Sequence, residues 1–231
     1  PDNEPQNKSF FAMDTYMTIT AYGENAESAL NKAEERVSEL ENLWSVTKEN
    51  SEIYAINHSN GQSVAVSPET AELFDFSLEI SKMTDGALDC SIYPITTSDY
   101  TIPTEERISE LLAYTDYRKI NFNGEYVQIP ENMQIDLGAV GKGYTGDLVV
   151  EILKENSIES ALLDLGGNIQ TIGTKPDGTD WKIGLRILQH LKFQIVLLLL
   201  RAAMSGTLLV MTVKPTGISL IPKLENLHIA D

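Results

Sequence analysis

Residues 15–22, Thr-Tyr-Met-Thr-Ile-Thr-Ala-Tyr, are strand formers in partial alternation and predict a strand. The pattern then changes period. From Ala26 to Trp44 the apolar residues Ala29, Leu30, Ala33, Val37, Leu40, Leu43 and Trp44 recur at helical spacing, which predicts an amphipathic helix. Ser67-Pro68-Glu69 reads as an N-cap with proline at the first helical position, opening a second helix that stops at Asp85-Gly86. Thr104-Glu-Glu-Arg opens a short third helix, its acids suited to the positive N-terminal end.

Residues 119–130 predict a hairpin, since apolar positions flank Asn123-Gly124, the pair favoured by type I′ turns. A strand is expected to run on to about Asp136, glycines follow, and a fourth helix is expected over 144–156. Ser160–Leu165, 168–173 and 181–186 read as further strands, the last two joined by Lys175-Pro-Asp-Gly-Thr179. Helices interleaved with hairpins predict an α+β chain rather than a repeating βαβ fold.

Charge divides the chain. Residues 1–186 hold 13 Lys and Arg against 32 Asp and Glu, whereas 187–231 hold 4 against 2 and contain Leu197-Leu-Leu-Leu200. The net charge of −17 argues against a nucleic-acid or anionic-membrane surface, both of which need clustered cations. A nucleotide ligand stays possible, because backbone N–H groups and a metal ion can hold phosphates. The single cysteine, Cys90, leaves no internal disulfide and no cysteine zinc site. No stretch reaches the ~20 apolar residues that span a bilayer. Residues 1–9 are polar and are expected to be disordered, either a tether such as removal of an export or lipoprotein signal would leave or a ragged domain start.

Gly138, Gly141 and Gly143 sit between a predicted strand and a predicted helix. They suit either a tight turn or close approach of the backbone to a phosphate. Lys142 adds a cation there, and Asp136 stands at a strand end, where aspartate often faces ligand. Asp164-Leu-Gly-Gly-Asn168 is an apolar strand broken by two glycines, and Gly86-Ala-Leu-Asp89 reads as a helix stop followed by a capping aspartate.

Taken together and in order, these pieces resemble the bacterial FAD:protein FMN transferases, the ApbE family. The set is Met13-Asp-Thr15, Asp85-Gly-Ala-Leu-Asp89, Asp136-Leu-Gly-Ala-Val-Gly-Lys-Gly-Tyr144, Asp147, Asp164-Leu-Gly-Gly-Asn168 and Trp181-Lys-Ile-Gly-Leu-Arg186. The resemblance covers nearly all of 10–186 and implies an α+β, tunnelling-fold-like arrangement of mixed sheets with helices. It implies an enzyme that splits the pyrophosphate of FAD and joins FMN to a threonine or serine of a partner flavoprotein. Such a partner is a redox-complex subunit or an extracytoplasmic reductase. By motif position Met13, Ala87, Leu88, Asp89, Asp136 and Lys142 line the FAD site, and Ala139 gives a backbone carbonyl to Mg2+. The family also implies an extracytoplasmic, membrane-anchored lipoprotein.

The chain departs from the family twice. A piece containing Trp-Gly-Phe, expected between Tyr93-Pro94-Ile95 and Thr97-Ser-Asp-Tyr100, is absent. After Arg186 the family continues with Asn-Pro, then Thr-Ser-Gly…Tyr-Glu-Arg, then His-Ile-Ile-Asp-x-x-Thr-Gly, and none of these occurs in 187–231. Yet permitted synonymous codons can give them in order when the last base of each codon is read with the first two of the next. Met211-Thr212 then admits only Asp, and Thr216-Gly217 only Gly, Arg or Trp. Residues 187–231 are therefore expected to be an aberrant tail from a one-nucleotide slip near codon 186, with the catalytic proton acceptor and the remaining Mg2+ ligands in the lost segment. The alternative for the tail is a core strand pair or partner-binding segment. Two further readings of the chain stay open: a noncatalytic FAD-binding remnant, and a structural or interaction module.

Overall fold

The computed structural model describes residues 4–93, 104–184, 196–202, 207–214 and 217–221. Its contacts divide the chain into two compact units, one of 1–34 with 146–231 and one of 35–145. The fold is α+β, and every strand pairing described is antiparallel.

The first unit holds a four-stranded sheet of β1 (Gln6–Ala12), β2 (Thr15–Tyr22), β6 (Ser160–Leu165) and β7 (Asn168–Ile172), in that spatial order. Met17, Ile19 and Ala21 of β2 are fully buried, as are Ala161, Leu163 and Leu165 of β6. Period-2 alternation thus puts one face of the sheet in the core. The 26–34 portion of α1 (Ala26–Trp44) adds Ala29, Leu30 and Ala33 to that core, and the 146–155 portion of α5 (Gly138–Glu155) adds Val149 and Leu153. Their ends are tied through Asn156, whose carboxamide oxygen accepts from Lys32 Nζ at 2.7 Å and whose carbonyl accepts from Asn25 Nδ2 at 3.2 Å.

β1 corrects the expectation of disorder for residues 6–9, while residues 1–3 lie outside the described residues. The segment is polar, but as an edge strand it gives its ladder bonds to β2 and its polar side chains to neighbours. Asn7 accepts from Thr20, Ser9 meets Thr18, and Lys8 pairs with Glu34 at 2.7 Å. An edge strand needs only alternate apolar residues, here Phe10 and Ala12.

The second unit contains α2 (Glu52–Asn57), α3 (Pro68–Met83), α4 (Glu105–Leu112) and a small sheet of β3 (Val64–Ala65), β5 (Tyr126–Gln128) and β4 (Asn121–Phe122). The Ser67 and Thr104 caps form as expected, each hydroxyl accepting from the N–H three residues on. The rest of α1 packs here through Val37, Leu40 and Trp44, and the Trp44 indole donates to Thr70 Oγ1 at 3.0 Å.

Four expectations are corrected. The hairpin turn centres on Gly124-Glu125, because only Gly124 has positive φ and the Asn123 carboxamide accepts from the N–H of Glu125 and Tyr126. Residues 133–137 alternate between buried and half-buried but pair with no strand; the Asn57 carboxamide donates to the Ile135 carbonyl and accepts from its N–H, replacing a ladder partner. α5 starts at Gly138 rather than 144, since Asp136 accepts from the Gly138 N–H and so caps the helix ahead of its glycines. Residues 181–184 are not a strand, and the rest of that expectation lies outside the described residues. Trp181 instead packs on Tyr22 and is overlain by the Lys175 ammonium.

After Arg186 the described residues form a meander of β8 (Val196–Ala202), β9 (Thr207–Lys214) and β10 (Gly217–Ile221). Among the described residues no helix is long and apolar enough to cross a membrane.

Candidate functional site

In the second unit the chain reverses sharply where α3 ends. Asp85 and Gly86 both have positive φ, and the Thr84 hydroxyl donates to the Ile80 carbonyl while accepting from the Leu88 N–H. This reversal places Ala87 at the surface and Leu88 and Asp89 half-buried. The Asp89 carboxylate is fully engaged by its own chain. One oxygen accepts from the Ser91 N–H at 2.8 Å and the Ser91 hydroxyl at 2.6 Å, and the other accepts from the Tyr117 N–H at 3.0 Å. Asp89 therefore builds the loop it stands in.

The next residue links this loop to the glycine motif. The Cys90 carbonyl accepts from the Asp136 N–H at 2.8 Å, bringing Ala87–Asp89 beside the start of α5. Burial pushes the Cys90 thiol up to about 12, and the charges of Asp89 and Asp136 push the same way, so it is no nucleophile near neutral pH. Burial also raises the Tyr93 phenol, with the Asp136 charge adding to it.

Asp136 accepts from the Gly138 N–H at 2.7 Å, while the Val140 and Gly141 N–H groups both donate to the Leu137 carbonyl. Two of the N–H groups that a helix start leaves free, those of Gly138 and Val140, thus have partners, so the helix end is a poorer phosphate cradle than its glycines suggest. Ala139 is exposed, and Lys142 lies three residues on, on the same helical face and half-buried. The unit therefore brings together Ala87, Leu88, Asp89, Asp136, Ala139 and Lys142.

Tyr144 anchors this part of α5. Its ring meets Trp44 edge-on at 5.8 Å, and its hydroxyl bonds the Glu72 carboxylate. Burial, that bond and the nearby acidic charges hold the phenol well above its ordinary range. Arg36, on Glu69 at 3.2 Å and Glu39 at 3.0 Å, completes the polar edge of the cluster.

Met13 belongs to the first unit. It and Asp14 form the β1–β2 turn, both with positive φ, and the turn is flanked by Phe11 and Tyr16, an edge-on aromatic pair 64% and 70% exposed. At the same end of that sheet lies the β6–β7 turn, Gly166-Gly167, closed by Asp164, which accepts from the Gly167 N–H at 2.8 Å. A Cβ on Gly166 would fall 2.9 Å from Thr15 Cβ, and nearer still to its Oγ1 and Cγ2. Glycine is required there both by φ +66° and by the approach of the neighbouring turn. Asp147 accepts from Gln170 Nε2 at 3.3 Å, a contact within the same unit.

Among the described residues no cluster of three or more His, Cys, Asp or Glu is arranged to hold a metal ion. The Ala139 carbonyl is one oxygen where a hard cation takes about six. These residues alone do not fit a Mg2+ site. Two participants escaped sequence reasoning: Tyr117, whose N–H bonds Asp89 across 28 positions, and Asn57, which pins Ile135 across 78. Only three-dimensional proximity identifies either. The Trp-Gly-Phe departure falls outside the described residues.

Comparison with known proteins gives one consistent answer. A family model described as the ApbE family matches residues 13–208. An FAD:protein FMN transferase of Klebsiella pneumoniae (strain 342) is 28% identical over 196 residues, covering 80% of this chain and 60% of its own length. One from Vibrio cholerae is 26% identical over 160 residues, covering 64% and 48%. The chain therefore spans about half to three-fifths of the length of these relatives. Among solved structures, the apo flavinyl transferase ApbE of Pseudomonas stutzeri superposes with a TM-score of 0.72 at 22% identity, over 80% of this chain and 63% of that one. A mutant of the Vibrio cholerae flavin transferase ApbE gives 0.76 at 17% identity, over 94% and 97%. At such identities the structural likeness speaks for the fold.

Proposed function

The chain belongs to the ApbE family, and from that premise we propose that its activity is transfer of FMN from FAD to a threonine or serine of a partner flavoprotein. In this reaction the acceptor hydroxyl oxygen bonds the FMN phosphorus, the pyrophosphate P–O bond breaks, AMP departs and the hydroxyl proton goes to a base. The observation that carries the reading is the family match over motif residues that the fold gathers at one place. Ala87–Asp89 and the Asp136–Lys142 segment meet through the Cys90–Asp136 backbone bond.

Each residue has a task on this reading. Lys142 offers a positive charge to the pyrophosphate, where charge neutralisation and positioning dominate catalysis. Asp136 steadies the first turn of α5 with one carboxylate oxygen and offers its charge to the flavin nucleotide, as its motif position implies. Asp89 holds the loop presenting Ala87 and Leu88. Met13 supplies a further contact to the flavin nucleotide. Mg2+, which the family implies, would neutralise phosphate charge, with the Ala139 carbonyl as one ligand.

The reading extends to the tail and to location. A one-nucleotide slip near codon 186 replaces the family's C-terminal phrases and lowers activity. The family match runs past Arg186 to residue 208, so the lost phrases and the change in charge carry this point, not the limit of the match. Sequencing codons 184–190 tests it, and an alternative frame without those phrases sinks it. The working location is extracytoplasmic, by lipid anchoring of a precursor, which cell fractionation checks. Partners are flavin-acceptor proteins, redox-complex subunits or extracytoplasmic reductases.

A turnover assay with FAD, Mg2+ and a flavin-acceptor domain separates the readings. Transfer supports the enzyme, and a full family-level rate refutes the slip's effect. Tight FAD binding without turnover makes the chain a noncatalytic remnant. No flavin binding, with concentration-dependent assembly, makes it an interaction module.

A further inference from the structure

A cavity of about 520 Å³ lies wholly within the second unit, among α2, α4 and the 129–134 segment. That is within the range of sites that hold small ligands or short stretches of chain. Its floor is apolar: Ile56, Leu111, Ile129 and Met133 are all at most 7% exposed. Its rim is polar and neutral in kind, with the carboxamides of Asn60, Asn132 and Gln134 and the phenol of Tyr114. Ser59 also lines it, and its hydroxyl is buried with no hydrogen-bond partner.

The charges exclude the phosphates of the nucleotide as occupant. The lining holds one cation, Arg107, already on Glu110 at 3.0 Å, and one carboxylate, Glu131. A diphosphate needs convergent cations, whereas carboxamides, a phenol and an apolar floor suit a neutral polypeptide carrying one apolar side chain.

The cavity lining ends at Gln134, two residues before Asp136. Along 133–137, Met133, Ile135 and Leu137 are buried while Gln134 and Asp136 are not, so these two lie on the same side of that alternating segment, roughly 7 Å apart. The Asn57 carboxamide holds that segment by its two bonds to Ile135. A chain seated beside Gln134 therefore passes directly to Asp136.

We propose that this cavity docks the stretch of acceptor protein next to the serine or threonine that receives FMN. The proposal rests on the flavin-transfer reading and adds to it the subsite that selects the protein substrate.

The test uses the full chain and a fluorescently labelled flavin-acceptor domain, read by anisotropy, with FAD affinity followed by quenching of flavin fluorescence. The double variant Arg107→Ala/Tyr114→Ala changes exposed side chains only. It should weaken acceptor binding at least about tenfold and leave the FAD Kd within about twofold. Hydrogen exchange on the unaltered chain should slow at 56–61 and 129–134 when the acceptor domain is added. Unchanged acceptor affinity, a weakened FAD affinity, or no slowing at those segments overturns the proposal. A chain that binds FAD but no acceptor domain also overturns it while leaving the flavin reading intact. Acceptor binding through the cavity without FAD binding does the reverse, and binding of neither sinks both.

Discussion

Gly166→Ala probes the point where the two hairpin turns of the first sheet meet. Two separate effects oppose the substitution. At φ +66° any L-residue adopts a left-handed backbone at roughly 1–2 kcal/mol. The new Cβ would also lie 2.9 Å from Thr15 Cβ and closer to its Oγ1 and Cγ2, an overpacking that typically adds about 1–3 kcal/mol. The neighbouring Gly167 has φ +90° and nothing within 4 Å of an added Cβ, so Gly167→Ala carries only the backbone part. Urea unfolding followed by circular dichroism should show Gly166→Ala less stable than Gly167→Ala by about 1–3 kcal/mol, with m unchanged. In the double variant Thr15→Gly/Gly166→Ala most of that difference should return as coupling. Equal losses at the two glycines, or no coupling to position 15, would refute the account.

Three further outcomes are expected. Asp89→Asn puts an NH2 group against the Tyr117 or Ser91 donors and should cost about 2–3 kcal/mol in urea unfolding; weakened FAD binding at full stability would show instead that Asp89 is chiefly a ligand. The Cys90 thiol, raised from 9.0 to about 12 when folded, stays protonated where the unfolded thiol ionises, so its contribution is intact below pH 9 and is lost as pH rises through that window. By pH 10.5 the loss is about 2 kcal/mol, and Cys90→Ala should flatten the wild-type fall in stability between pH 8.5 and 10.5; identical slopes refute it. Tyr144→Phe keeps the ring against Trp44 and loses only the bond to exposed Glu72, so calorimetry should find a loss of about 1 kcal/mol, against about 3–5 for Trp44→Ala.

What was legible in the sequence follows the range of the interactions responsible. The bounds of α1 and β2, and the caps at Ser67 and Thr104, are set within a few residues, by periodicity or by one hydroxyl and one N–H. β1 was missed because an edge strand is held by its partner's register and by side-chain bonds to β2 and α1, not by its own hydrophobicity. The start of α5 is not legible from glycine's poor helix propensity, since it depends on the Asp136 side chain and on the packing of Trp44 near Gly141. The motif residues could be named from resemblance, but their work could not. That Asp89 spends both carboxylate oxygens on its own loop depends on Tyr117, far along the chain.

An aspartate that lines a ligand and one that shapes the backbone lining it give the same loss of activity when replaced. The geometry distinguishes them, since Asp89 has three chain donors on two oxygens, while Asp136 uses one oxygen on Gly138 and its N–H on Cys90. Asp136→Asn keeps an acceptor oxygen for the Gly138 N–H, so it should retain stability within about 1 kcal/mol and lose any function that needs the charge. Stability and FAD affinity measured on both variants therefore sort the two roles. A fall in stability confined to Asp89→Asn, and a fall in FAD affinity at full stability for Asp136→Asn, is the expected pattern, and the opposite assignment would overturn it.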